Sequence, residues 1–190
     1  MNNRIKNLEE KVLSNNWYTL KKITFDYLTK KGVWITQSRE AYDRGNGAVI
    51  LLYNLETKNI ILTKQFRMPT YINGNSTGIM IEACAGLLDA DDPETAIIRE
   101  TEEETGFKIT DIKKVYEVYM SPGSVTEMLY FFIAEYSSQT EKLPGGGIDD
   151  EDVEVLELQF ERALNMIKTN EIKDAKTIML LQYLRLENLL

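Results

Sequence analysis

The stretch EACAGLLDADDPETAIIRETEEETGF, residues 82–107, constrains this chain more than any other. It reads as the end of a strand at Cys84, the pair Ala85-Gly86, an acidic turn, and one helix with both ends marked. Asp92 is placed to cap the helix, Pro93 to open it and Gly106 to stop it, so the spacing predicts a helix over 93–105. That helix carries Glu100, Glu102, Glu103 and Glu104 in little more than one turn. Each helical residue advances about 100°, so Glu100 and Glu104 lie about 40° apart, with Glu103 about 60° to the other side of Glu100. These three form one carboxylate face. Glu102 points to solvent, and Ile98, Thr101 and Thr105 form the side that packs. A solvated acidic face is the ordinary explanation of such a cluster. Two facts weigh against it: like charges at i,i+4 repel, and Glu104 stands near the negative end of the helix dipole. Only Glu103 has a helical partner, Arg99. A divalent cation turns the repulsion into affinity, because two carboxylates one turn apart bridge one ion or share two. Gly86 lets a backbone carbonyl approach the same ion, although a glycine that merely ends a strand fits as well.

The chain has no histidine. Ser–His–Asp and Cys–His mechanisms are therefore excluded, as are His-rich zinc and iron sites. A base here is a carboxylate, and a bound metal takes oxygen ligands, which means Mg²⁺, Mn²⁺ or Ca²⁺. The loop spacing of an EF-hand is absent. A net charge of −8 argues against nucleic acid as a partner. No apolar run reaches the length of a membrane span. The N-terminal MNNRIKNLEEKVL is too polar for a signal peptide, and the lone Cys84 makes no internal disulfide, so a cytoplasmic protein is expected.

Along the rest of the chain, Ile5, Leu8, Val12 and Leu13 are spaced for a helix over 3–14. Strands are expected at 17–28 and 33–42, joined by a turn at 29–32. The cluster RGNG (44–47) breaks the pattern. Strands follow at 48–54, 59–66, 79–84, 112–119, 127–136 and 153–158. Residues 69–78, 120–127 and 137–150 read as loops, and helices are expected at 160–169 and 174–187. The domain reading is an N-terminal helix and β-segment over 1–43 and a main domain over 44–190, in an α/β or α+β layered fold.

Gly86 to Phe107 resembles the Nudix box, Gly-x5-Glu-x7-Arg-Glu-U-x-Glu-Glu-x-Gly-U, with U a bulky aliphatic. Gly86, Arg99-Glu100, Glu103-Glu104, Gly106 and Phe107 match it. The spacing from Gly86 to Arg99 is one residue short, the first glutamate position falls on Asp91 or Asp92, and Thr101 stands at the first U. IEACAG (81–86) resembles the ExPAG motif of the ADP-sugar pyrophosphatase branch, with Cys84 in place of proline. REAYDRGNGA (39–48), QFRMPTYINGN (65–75), YMSPGSVTE (119–127), GGGIDDEDVEVLEL (145–158) and DAKTIMLL (174–181) extend the resemblance over nearly the whole chain, toward the bacterial GDP-mannose pyrophosphatase branch.

The resemblance implies a Nudix α/β/α sandwich with mixed sheets, and an N-terminal β-segment exchanged across a homodimer. It implies Mg²⁺-dependent hydrolysis of a nucleotide sugar, GDP-mannose to GMP and mannose 1-phosphate, with Mn²⁺ as an alternative ion. Glu100, Glu104 and the Ala85 carbonyl become metal ligands. Glu103 is a second ligand or an orienting group paired to Arg99. The acidic loop after the triglycine is by itself an ordinary solvated loop, and it lacks the Lys-Ser/Thr of a phosphate loop. In the family, this loop closes over substrate, which gives Glu151 the role of ligand, base or both, with Asp150 beside it. Substrate contacts carry over to Arg67, Arg39, Glu40, Glu127, Lys176, and the backbone of Gly86 and Leu87. Trp17 either stacks on the base or sits in a dimer core, and Lys176 is equally well a surface lysine. ADP-ribose or another ADP-sugar is the alternative substrate. A non-catalytic nucleotide-sugar sensor is a further alternative, disfavoured because the box glutamates are retained. Relatives that attack the sugar carbon use a histidine base, which this chain lacks.

Overall fold

The apolar run AVILL (48–52) forms the middle of β4 (Gly47–Tyr53), and its residues are buried on both faces. A strand buried on both sides belongs inside a covered sheet. The computed structural model describes residues 4–148 and 152–190. In it, β4 lies near the centre of a seven-stranded sheet with β5 (Asn59–Phe66), β6 (Ile79–Glu82), β7 (Cys84–Leu87), β8 (Ile112–Tyr119), β9 (Met128–Glu135) and β10 (Glu154–Gln159). The main path runs β10-β5-β4-β9-β8, with β6 paired to β5 and β7 to β4. β4 pairs parallel with β9 and antiparallel with β5 and β7, so the sheet is mixed.

Ala48, Ile50 and Leu52 of β4 join Cys84, Phe132 and Ile97 in one apolar cluster. Ile97 belongs to α2 (Pro93–Thr105), which therefore covers that face. The buried helix side is Ile97 with Thr101 and Thr105; Ile98 is only half-buried, one residue off the expected stripe. α4 (Ala175–Leu186) also packs on β4, and none of its residues joins the cluster, so it covers the opposite face. α3 (Phe160–Lys168) packs on α4 and β10. The result is a mixed α/β fold with a sheet between helices. The strand expected at 79–84 is split at Ala83 into β6 and β7. The loop expected at 69–78 opens with a short helix, α1 (Met68–Ile72), for which Pro69 in its first turn is suited.

This sheet and its helices form one unit, Gly47–Val118 with Leu129–Leu190. The other unit takes the described residues up to Asn46 with Tyr119–Met128. It holds an antiparallel sheet of β1 (Ile5–Asn15), β2 (Thr19–Leu28) and β3 (Trp34–Asp43). The helix expected over 3–14 is therefore a strand. β1 pairs with β2 from Ile5–Tyr27 to Asn15–Thr19, with register shifts between Lys6 and Glu9 and between Val12 and Ser14. Asn7 takes the left-handed conformation at the first shift, with φ 51°. A bulge inserts a residue and breaks the two-residue alternation. Ile5, Leu8 and Val12 thereby imitate helical spacing while lying on a strand. Most of β1 is exposed, Leu8 and Val12 included.

Candidate active site

α2 is held at both ends as the sequence predicts. The Asp92 side chain accepts from the N–H groups of Glu94 and Thr95, and Gly106 ends the helix with φ 77°. Its last turn holds no basic residue. The helix rests beside β7, and there Gly86 meets Glu100. A Cβ on Gly86 would fall 2.0 Å from Cδ of Glu100 and 2.4 Å from its Oε1. The glycine is thus required by the carboxylate, since its φ is not in the left-handed region.

Glu104 is 4% exposed. Burial pushes its carboxyl up to about 7; the Cys84 thiol and the Ala85 backbone N–H donate to it and pull the other way, while the charge of Glu100 adds to the rise. Its Oε2 is buried with no hydrogen-bond partner among the described residues. An anionic oxygen left in this way calls for a cation. A divalent ion fits that orphan, with Glu100 one turn away and the Ala85 backbone alongside. Among the described residues, no three His, Cys, Asp or Glu side chains stand together as a ready metal-binding group. The described groups there are thus two carboxylates and the Ala85 backbone. Glu151 and Asp150 lie outside the described residues.

Arg99 braces the acidic face. Its Nη1 lies 3.0 Å from Glu100 Oε1 and 3.1 Å from Glu103 Oε2, and its Nε lies 3.6 Å from Asp91. Glu103 and Arg99 also border a cavity of about 680 Å³ floored by Ile98, Leu143, Pro144 and Ile148. Arg67 and Lys176 converge on one buried group that the sequence reading did not assign. Glu82 accepts from Arg67 Nε at 2.9 Å and Nη2 at 3.2 Å, and from Lys176 Nζ at 2.5 Å. Burial alone would raise the Glu82 carboxyl, but the Arg67 hydrogen bonds and the Lys176 charge outweigh it and hold it at about 2. Lys176 also contacts Asp174 at 3.0 Å. Asp174 caps α4 through the Thr177 N–H, and the Thr177 hydroxyl accepts from the Ala83 N–H at 2.6 Å. The signal for Glu82 was present: one carboxylate within the apolar run IMIEACA needs a cationic partner.

The remaining candidates lie in the N-terminal unit, apart from Gly86 and Leu87, which are half-buried in β7. Arg39 and Glu40 line a cavity of about 620 Å³ with Tyr119, Pro122 and Thr126. Arg39 donates to the Ser38 carbonyl at 2.7 Å and to Gln37 at 3.0 Å. Glu127 pairs with Arg44 at 3.5 Å. Trp17 is 87% exposed, its ring edge-on to Tyr18.

A carboxylate-bearing helix braced on a glycine in a mixed α/β sheet is the arrangement of a hydrolase class that works on phosphate anhydrides. The chain belongs to the Nudix family: residues 43–181 match the NUDIX domain. Residues 4–42 match the GDP-mannose pyrophosphatase NudK N-terminal domain. Proteins of Escherichia coli O157:H7 and Shigella flexneri, each named GDP-mannose pyrophosphatase, are 53% identical over 190 residues, the whole of both chains. Membership makes the chain a hydrolase, a Nudix pyrophosphatase; Nudix hydrolases generally use divalent metals. No helix among the described residues is long and apolar enough to cross a membrane.

Proposed function

We propose that this chain hydrolyses GDP-mannose to GMP and mannose 1-phosphate with Mg²⁺ as its ion. The observation that carries this is similarity over the whole of both chains, at 53% identity, to proteins named for that reaction. Glu100, Glu104 and the Ala85 carbonyl hold the ion, with Glu151 completing the set. Such an ion, when bound, polarises the phosphate and offsets its charge. That is how a chain of net charge −8 accepts a polyanion.

A water oxygen bonds to one phosphorus and the bridging P–O bond breaks. Glu151 takes the proton from the water. Glu103, fixed by Arg99, orients the face from which attack comes. Arg67 gives Nε and Nη2 to Glu82, which leaves its Nη1 hydrogens for a phosphate oxygen. Lys176 adds positive charge from the same cluster, and the backbone of Gly86 and Leu87 lines the approach. Asp150 is assigned to the substrate beside Glu151.

Arg39, Glu40 and Glu127 take the sugar and nucleotide, and Trp17 stacks on the base. Trp17, Arg39 and Glu40 belong to an N-terminal β-segment over 1–43 that is exchanged in a homodimer; Glu127 belongs to the hydrolase domain, 44–190. The exposed Leu8, Val12, Trp17 and Val33 supply an apolar surface for that assembly. The free thiol Cys84 suits a reducing, cytoplasmic compartment.

The test is incubation with GDP-mannose and Mg²⁺, beside a chelator control and an ADP-ribose arm, with the products identified. GMP and mannose 1-phosphate, formed faster than ADP-ribose is cleaved and lost on chelation, support the proposal. Faster ADP-ribose cleavage moves the substrate and keeps the chemistry. No turnover of either overturns it.

A further inference from the structure

The triglycine 145–147 remains unexplained by the reaction. Its backbone lies directly on the last turn of α2. The Gly146 N–H donates to the Glu104 carbonyl at 2.8 Å, and the Gly147 N–H to the Glu103 carbonyl at 3.1 Å. Leu143 N–H donates to the Gly106 carbonyl at 2.8 Å. A Cβ on Gly145 would meet the Thr105 carbonyl carbon at 2.5 Å and the Glu104 oxygen and Gly106 nitrogen at 2.7 Å. A Cβ on Gly106 would meet the Leu143 oxygen at 2.0 Å. Both contacts are backbone on backbone, so no side chain can swing aside to relieve them. The Gly146 carbonyl in turn accepts from Val153 N–H at 3.1 Å, which ties this turn to the start of β10.

A helix leaves its last carbonyls without partners, and they carry the negative end of its dipole. In α2 those carbonyls belong to the residues whose carboxylates crowd the site. Donors from the glycine turn satisfy the carbonyls of Glu103 and Glu104 directly. We infer that Gly145 and Gly146 are positioning residues: they set the axial position of the last turn of α2 and, through it, the place of the Glu104 carboxylate. This rests on the reading of Glu104 as a metal ligand. Gly86 braces Glu100 by its missing side chain, and Gly145 braces Glu104 by its own; one carboxylate is fixed at its tip and the other at its root.

The test compares Gly145→Ala with Asp92→Ala, which removes the cap at the far end of the same helix. Mn²⁺ binding to each purified protein is measured by calorimetry, with Glu104→Gln as the reference for loss of the site. We expect Gly145→Ala to raise the Mn²⁺ dissociation constant at least about tenfold, and Asp92→Ala to leave it unchanged at a similar loss of thermal stability. A dissociation constant for Gly145→Ala within about twofold of wild type, where Glu104→Gln abolishes binding, overturns the inference. Amide exchange in the wild-type protein tests the clamp without any substitution, and so also covers a Gly145→Ala that fails to fold. Gly146 and Gly147 amides protected about a hundredfold or more support it; exchange at the rate of an open loop overturns it. Mn²⁺ binding that ignores Glu104→Gln sinks the ligand reading instead, and the clamp then stands or falls on the exchange result.

Discussion

Replacing Gly86 with alanine adds one methyl group and separates stability from function. The new Cβ lands 2.0 Å from Cδ and 2.4 Å from Cγ of Glu100, where carbon atoms ordinarily stay about 3.5–4.0 Å apart. The overlap of about 1.5 Å has to be relieved. Gly86 has ordinary strand φ, so alanine adopts its backbone without strain. The atoms it strikes belong to a side chain that is 15% exposed, and rotating that chain outward is the easiest escape. An off-rotamer shift costs about 0.5–1.5 kcal/mol, and alanine returns about 0.4–1 kcal/mol by narrowing the unfolded ensemble. Net stability therefore moves by about 1 kcal/mol or less, which is a Tm change of about 2–4 °C in a chain of this size. In the proposed site, however, the carboxylate would then leave the ion. Losing one preorganised electrostatic contact costs about 3–4 kcal/mol of transition-state stabilisation, or 10²–10³-fold in kcat/KM. The assay couples GDP-mannose turnover to alkaline phosphatase, which frees phosphate from both products but not from the substrate, and runs beside a thermal melt. Activity within about threefold of wild type refutes the reasoning. So does a Tm loss above about 8 °C, which would mean that the backbone and not the side chain gave way.

Glu104→Gln should abolish turnover while the protein stays folded, because the amide keeps the shape and loses the charge; near-wild-type activity would remove Glu104 from the site. Titration should show two opposite trends in the metal-free protein. Glu82 is held below its unfolded value, so its share of stability is present above about 4.5 and is lost as pH falls toward about 2. Glu104 is raised, so its share is present below about 4.5 and is lost as pH rises through about 7, and Mg²⁺ should flatten that second decline in urea-denaturation curves. Lys176→Met strips one cation from the buried Glu82 and should cost about 2 kcal/mol in the same curves, with Arg67 still in place; a loss below about 0.5 kcal/mol contradicts the cluster. Val12→Lys on the exposed apolar face of β1 should shift the sedimentation profile toward monomer, and an unchanged profile counts against assembly through that sheet.

α2 was legible to the residue because its ends are written in local chemistry: a capping Asp92, a Pro93 that needs no N–H partner, and a Gly106 free to adopt φ 77°. β4, β5 and β9 were legible as dense apolar runs between breakers. β1 was not, because its bulges convert a two-residue period into a helical one, and a bulge is set by the partner strand rather than by the residues themselves. The acidic face was found from spacing alone. What spacing cannot reveal is which groups the fold brings to it from far along the chain. Lys176 lies ninety-four residues from Glu82 in sequence and within a hydrogen bond of it in space. The same holds for the glycine turn seated on the helix end.

Cys84 has one more consequence. It is the only cysteine in the chain, 2% exposed and directly beneath Glu104. Burial, with the Glu104 charge, pushes its thiol well above the ordinary range, so it does not react where it sits. Any modification by a thiol reagent therefore records a moment when the floor of the carboxylate site has opened. The chain carries its own tracer: a single chemical label, with no background, whose rate of uptake counts those openings and whose slowing reports that an ion has closed them.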